Sequence, residues 1–268
     1  MFRKDDIIMR FLKIFKDVFF VMSRIVFRAR YGWQTNVKGA RKIKYFKSGL
    51  LVHPTSTATL GNNITLHNTR IIVGPTCTVH LGNDAVLKNV TLFLGHNADV
   101  RVNDGAILDY THYRRGEITV QEGQLLIGEK ANVKANLVVR FNARLLLGVH
   151  AGIGFNSEVV CDEFIQLGNY CLVSNHVTIY DSNSHSVDFN ERRERIRLGY
   201  PDGCSEVEKP ATAPIDIGSD VWIGKNATIL KGAVIGEGSI VGMATTVTRG
   251  VYPAGSYIVS NQPRVIKA

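Results

Sequence analysis

Six aliphatic residues stand six positions apart towards the C-terminal end: Ile217, Ile223, Ile229, Ile235, Val241 and Val247. Glycine follows four of them, at Gly218, Gly224, Gly236 and Gly242, and small or polar residues fill most of the gaps. A period of six is neither the 3.6 of a helix nor the 2 of a plain strand; it predicts a parallel β-helix. Each hexad forms one flat face of a prism. The aliphatic residue points inward, and Gly or Asn tolerates the strained turn between faces. Three hexads, about 18 residues, close one coil.

The same punctuation runs back through the chain. Leu147, Ile153, Val159 and Ile165 keep the period, and after a two-residue slip Leu167, Val173 and Ile179 resume it. Looser hexads start at Leu60, Leu66 and Ile72, then Leu81, Leu87 and Phe93. These segments predict an all-β solenoid of roughly nine coils between about 50 and 250. Asp109–Gly116 reads as a short surface excursion. The larger break falls between Ile179 and Ile215, where a polar stretch over 181–214 replaces the repeat. A loop this long inside a compact repeat is a candidate for function, and this one is rich in Asp, Ser, His and Arg. The active site is expected at its base.

Composition changes the picture at one end only. The 268 residues carry a net charge of +9, yet residues 1–47 hold thirteen Lys/Arg against three Asp, and the remainder is close to neutral. The chain therefore divides into a basic amphipathic helical leader (1–47), a solenoid (48–250) and a C-terminal tail (251–268). Within the leader, Ile7, Ile8, Phe11, Leu12, Phe15, Val18, Phe19 and Met22 recur at helical spacing among Arg and Lys. Its charge-free runs are far shorter than the roughly 20 residues that span a bilayer, and it lacks a signal-peptide pattern. Two readings stand: residues 1–30 lie on an anionic inner-membrane surface, or the helix packs on the body or on a partner subunit. No nucleic-acid motif accompanies the charge. The four cysteines form no CxxC pair, and Cys161 and Cys171 fall among apolar residues, which points to buried thiols in a reducing cytoplasm.

The segment Val221-Trp222-Ile223-Gly224, the hexads after it and the tail Asn261-Gln262-Pro263-Arg264-Val265-Ile266 resemble the hexapeptide-repeat acyltransferases. The resemblance is specific over about 145–266, looser over 50–144 and absent over 1–47. Ser184-His185-Ser186-Val187-Asp188 looks most like the branch that O-acetylates sugars of bacterial surface polysaccharides. The resemblance implies a left-handed parallel β-helix, usually a homotrimer, and acetyl-coenzyme A bound along a prism edge between subunits. It also implies a catalytic His in the protruding loop.

The chemistry agrees with that expectation. A sugar hydroxyl must lose its proton as it attacks a thioester, and a neutral imidazole is a competent base near pH 7. His185 takes that role, ahead of His176, which reads as a coil turn residue. The Asp common two positions before the family's His is Asn183 here. The imidazole's orienting partner is therefore Asp181, Asp188 or a backbone carbonyl, with Asp181 preferred. Trp222 is expected to wall the acyl-pantetheine arm and acceptor. Lys225, Met243, Thr248, Arg249 and Arg264 fall at family positions near the coenzyme, the two arginines suiting its phosphates. Asn156 is expected to touch the acceptor. The Arg192–Arg195 cluster reads as a solvated loop face or as a greeting for an acidic glycan. The eight histidines offer no metal-ligand spacing, so no metal is expected. Two other functions fit the same pattern: N-acylation of an amino sugar nucleotide, and a non-catalytic β-helix scaffold in glycan assembly.

Overall fold

The computed structural model describes residues 37–39, 42–111, 115–197 and 209–260. They form a left-handed parallel β-helix with three faces, here A, B and C. Ten strands build face A, ten build face B and nine build face C, every neighbouring pair parallel. The solenoid thus has about ten coils rather than nine, and it extends past both expected boundaries. Strands Val37–Gly39 and Ile43–Phe46 lie inside the segment read as leader, and pair with Ala58–Leu60 and Ile64–His67. Gly250–Tyr252 and Tyr257–Ile258 carry faces A and B beyond residue 250. The helical reading of residues 1–30 lies outside the described residues.

The upper hexads point inward as their spacing requires, from Ile217 to Val247, each fully buried. Two of the early ones do not. Ile72 faces outward between buried Ile71 and Val73, and Phe93 faces outward between Leu92 and Leu94. The reason is coil length. Leu60 pairs with Leu81, one coil of 21 residues later, whereas Ile217 pairs with Ile235 after 18. A longer coil moves the inward position off a strict six.

The corners carry the strain. Each is a two-residue turn whose second member is often left-handed: His150, Tyr170 and Asp220 on the edge between A and B, and Asn156, His176, Asn226 and Ala244 between B and C. A left-handed L-residue costs roughly 1–2 kcal/mol, which the coil-to-coil hydrogen bonds through these turns offset. Parallel strands stack about 4.8 Å apart, so some backbone positions leave no room for a side chain. At Gly148 a Cβ would meet the Gly168 carbonyl carbon and oxygen at 2.5 Å; at Gly168 it would meet Ser219 N at 2.5 Å.

Gly148→Ala is expected to destabilise the solenoid by about 1–3 kcal/mol through forced coil separation. Gly152→Ala, whose Cβ meets nothing nearer than 3.9 Å, is expected to be neutral or slightly stabilising. Thermal melts of the two variants against the parent check this.

Candidate active site at the loop neck

The repeat breaks after the face-C strand Thr178–Tyr180 and resumes on face A at Ile215–Ile217. Residues 181–214 therefore leave from the C–A corner, where the next coils use only Lys231-Gly232 and Thr248-Arg249. The loop is pinched at its neck. Ser182 and Thr212 form an antiparallel bridge, Asn183 N donates to Ala211 O at 3.1 Å, and Ala213 N donates to Asp181 O at 2.9 Å. The coil above clamps the returning strand: Lys231 Nζ donates to Ala211 O at 3.1 Å, and Gly232 N reaches both Ala213 O and Pro214 O at 3.1 Å.

The departing strand is fastened from below by Asp181. Its side chain is fully buried, with Oδ1 accepting from Asp162 N at 2.8 Å and Oδ2 from Glu163 N and Phe164 N at 2.9 Å. Burial pushes its carboxyl above the usual carboxylate range, and neighbouring Asp162 adds to this against the pull of the three N–H groups. Asp162 is equally buried and takes a two-pronged grip from Arg140, Nε and Nη2 each at 2.7 Å. Arg140, Asp162 and Asp181 thus stand on the same edge in three successive coils. Tyr180 donates to Glu158 beside them, and burial raises its hydroxyl pKa as it does the Cys161 thiol pKa. This column was missed in the sequence; its signal was a charged residue recurring at 140, 162 and 181, close to one coil apart.

Both oxygens of Asp181, the expected imidazole partner, accept from backbone donors one coil below, and no hydrogen bond joins it to His185 among the described residues. Asp188 caps the helix α1 (Phe189–Arg197): its Oδ1 accepts from Asn190 N at 2.7 Å, and its carbonyl accepts from Arg192 N. The spacing Asp188-x-x-Glu191 is a helix-start signature that the loop reading overlooked. His185 itself is solvent-exposed three residues beyond the neck bridge, with no hydrogen bond among the described residues. Helix α1 buries no residue, and Glu194 pairs with Arg197 at 2.9 Å on its solvated face.

The other candidates divide between two edges of the prism. Thr248 and Arg249 share the loop's C–A edge, the Arg249 stem packing over Gly232. Lys225 and Met243 occupy consecutive coils of the B–C edge, both exposed, and Ala244 N ties the two turns by donating to Lys225 O at 2.9 Å. Trp222 lies on face B leading to that edge, 48% exposed, above Leu172 in register and with Nε1 3.4 Å from Ser174 Oγ. Asn156 is also on the B–C edge, at φ 54°, in line with His176 and Asn226. It holds a corner conformation that Asn tolerates, and the chain does not bring it to the loop neck. Arg264 lies outside the described residues. Among the described residues no three His, Cys, Asp or Glu side chains gather as a metal site, and no helix is long and apolar enough to cross a membrane.

Residues 214–249 match the family described as bacterial transferase hexapeptide (six repeats). This segment spans the coils that close the loop neck and bear Trp222, Lys225, Met243, Thr248 and Arg249. No curated protein matches the chain in sequence. Among solved structures, the polySia-specific acetyltransferase NeuO is 19% identical, covering 87% of this chain and 84% of its own, with a TM-score of 0.42. The polysialic acid O-acetyltransferase OatWY is 16% identical, covering 86% of this chain and 94% of its own, with a TM-score of 0.24.

Two substitutions separate anchoring from chemistry. Asp181→Asn turns one acceptor into a donor facing backbone N–H groups, and is expected to lower stability by about 1–3 kcal/mol. Arg140→Ala leaves buried Asp162 without its counter-charge and is expected to lose about 3–5 kcal/mol. His185→Ala, in solvent, should leave the denaturation midpoint unchanged.

Proposed function

We propose that the protein is an acetyl-coenzyme A-dependent O-acetyltransferase acting on a sugar hydroxyl of a bacterial surface polysaccharide or its precursor. The observation that carries this reading is the position of His185. An exposed imidazole with no hydrogen bond among the described residues stands just past a clamped neck, on a loop that ends where the match to the transferase hexapeptide family begins. The acceptor hydroxyl gives its proton to His185 as its oxygen attacks the thioester carbonyl, and the imidazolium then protonates the departing thiolate. Transfer is direct, so the protein needs only the base, two aligned substrates and a donor for the developing oxyanion.

The split of candidate residues between two edges supports a site assembled by two protomers. One strand-bearing face separates the C–A edge from the B–C edge, roughly 10–15 Å at 3.3 Å per residue. His185, Thr248 and Arg249 of one protomer would face Trp222, Lys225 and Met243 of the next in a trimer. Exposed Trp222 and Met243 offer an apolar wall for a pantetheine arm, and the Lys225 ammonium suits a phosphate. The reducing cytoplasm fits three buried thiols with no disulfide among the described residues.

His185→Ala is expected to abolish acetyl transfer from labelled donor to glycan with the melt unaltered; near-normal turnover overturns the assignment. An acceptor panel carrying both hydroxyl and amino sugars distinguishes O- from N-acylation. Co-assembly of His185→Ala with Trp222→Ala chains is expected to restore part of the activity that each lacks alone, because some interfaces then hold one intact set. Absence of any recovery in mixed oligomers places both residues in a single-chain site instead.

A further inference from the structure

The first coils carry a surface that the transfer reaction does not use. Residues 18–83 contain no Asp or Glu, while Lys38, Arg41, Lys42, Lys44, Lys47 and Arg70 fall within 37–83. The basic bias of the leader therefore continues into the folded solenoid. Lys42, Lys44, Lys47 and Arg70 are all exposed, and none pairs with a carboxylate among the described residues. Climbing face C, the first carboxylate is Glu117, two coils above Arg70 through Thr91.

Large apolar side chains stand between these cations. Leu51, Ile72 and Phe93 share one outward column on face C, by the registers Leu51–Ile72 and Ile72–Phe93. Leu51 is 55% exposed, and Phe46, around the B–C corner, is 50% exposed. Phe46 stacks on His67 with centroids 4.9 Å apart, and Lys47 Nζ lies 5.4 Å from the Phe46 ring centre. A groove of about 390 Å³ runs between Lys47, Ser48 and Gly49 on one coil and Arg70, Ile71 and Ile72 on the next, with Leu51 at its side. The two outward misfits of the hexad pattern, Ile72 and Phe93, both belong to this surface.

We infer that this edge of coils one to three docks on an anionic phospholipid bilayer. The cations meet lipid phosphates while Phe46, Leu51, Ile72 and Phe93 enter the headgroup–acyl boundary. Charge complementarity selects the occupant. Exposed apolar groups ringed by exposed Lys and Arg match an acidic interface. The sequence before Val37 is itself basic, so like charge disfavours it as the occupant of this groove. This inference does not depend on the acetyl-transfer reading, and its test involves no residue of that site.

The test is co-sedimentation of the full chain with vesicles of phosphatidylcholine alone or mixed with phosphatidylglycerol. Binding is expected to the mixed vesicles only, and to weaken with added salt. Lys47→Glu with Arg70→Glu, both in solvent, should weaken it by about tenfold or more, since each basic contact near the surface contributes about a factor of five. Leu51→Ser with Phe93→Ser should weaken it comparably, with melts confirming the fold. Unchanged binding in both double variants overturns the inference, because the leader would then suffice or itself cover the groove. Equal binding to neutral vesicles, or binding to a soluble acidic glycan in place of vesicles, also overturns it.

Discussion

Everything in this molecule answers to the distance between one backbone and the next. Parallel strands bonded coil to coil lie about 4.8 Å apart, and every position must be compatible with a copy of itself at that height. Inward positions are filled mostly by aliphatic residues, which interlock along the axis from Leu50 to Val247. Corner positions accept residues that tolerate a left-handed turn, and Gly148 and Gly168 are places where even a methyl group would collide with the backbone of the coil above. The site inherits the same geometry. Arg140, Asp162 and Asp181 form a column because a charged residue on one edge finds its partner in the next coil, and that column holds down the loop that carries His185.

How much of this was legible in the sequence follows from how local each signal is. The upper coils were readable because one hexad equals one face, so Ile217 to Val247 could be assigned inward from spacing alone. The lower coils were not, because 21 residues per coil shift the inward position, and Ile72 and Phe93 were assigned to the core although they face solvent. The loop was visible as a gap in the period, and its helix could have been found from Asp188 and Glu191. The partners that Asp181 has in the fold were hidden for a physical reason. Four residues from His185 it reads as an imidazole partner, yet its true neighbours are Asp162, Glu163 and Phe164, adjacent only once the coils are wound.

The division of the candidate residues between two edges has the same origin. Trp222, Lys225 and Met243 lie within one stretch of the chain with Thr248 and Arg249, but a prism sends neighbouring hexads to different faces. Proximity in a repeat sequence therefore means proximity along the axis and not around it. Under the two-protomer site proposed above, the two sets meet only when another chain closes it.

The pinched neck has a consequence for how such a protein diversifies. Leu147 pairs with Leu167 across an ordinary coil, and Leu167 pairs with Ile217 across the excursion, yet the ladder is the same on either side. The solenoid does not register how much chain is looped out between Asp181 and Pro214, because bridge and clamp seal the opening. That makes the excursion an exchangeable cassette: its length and composition can drift while the scaffold beneath it stays untouched.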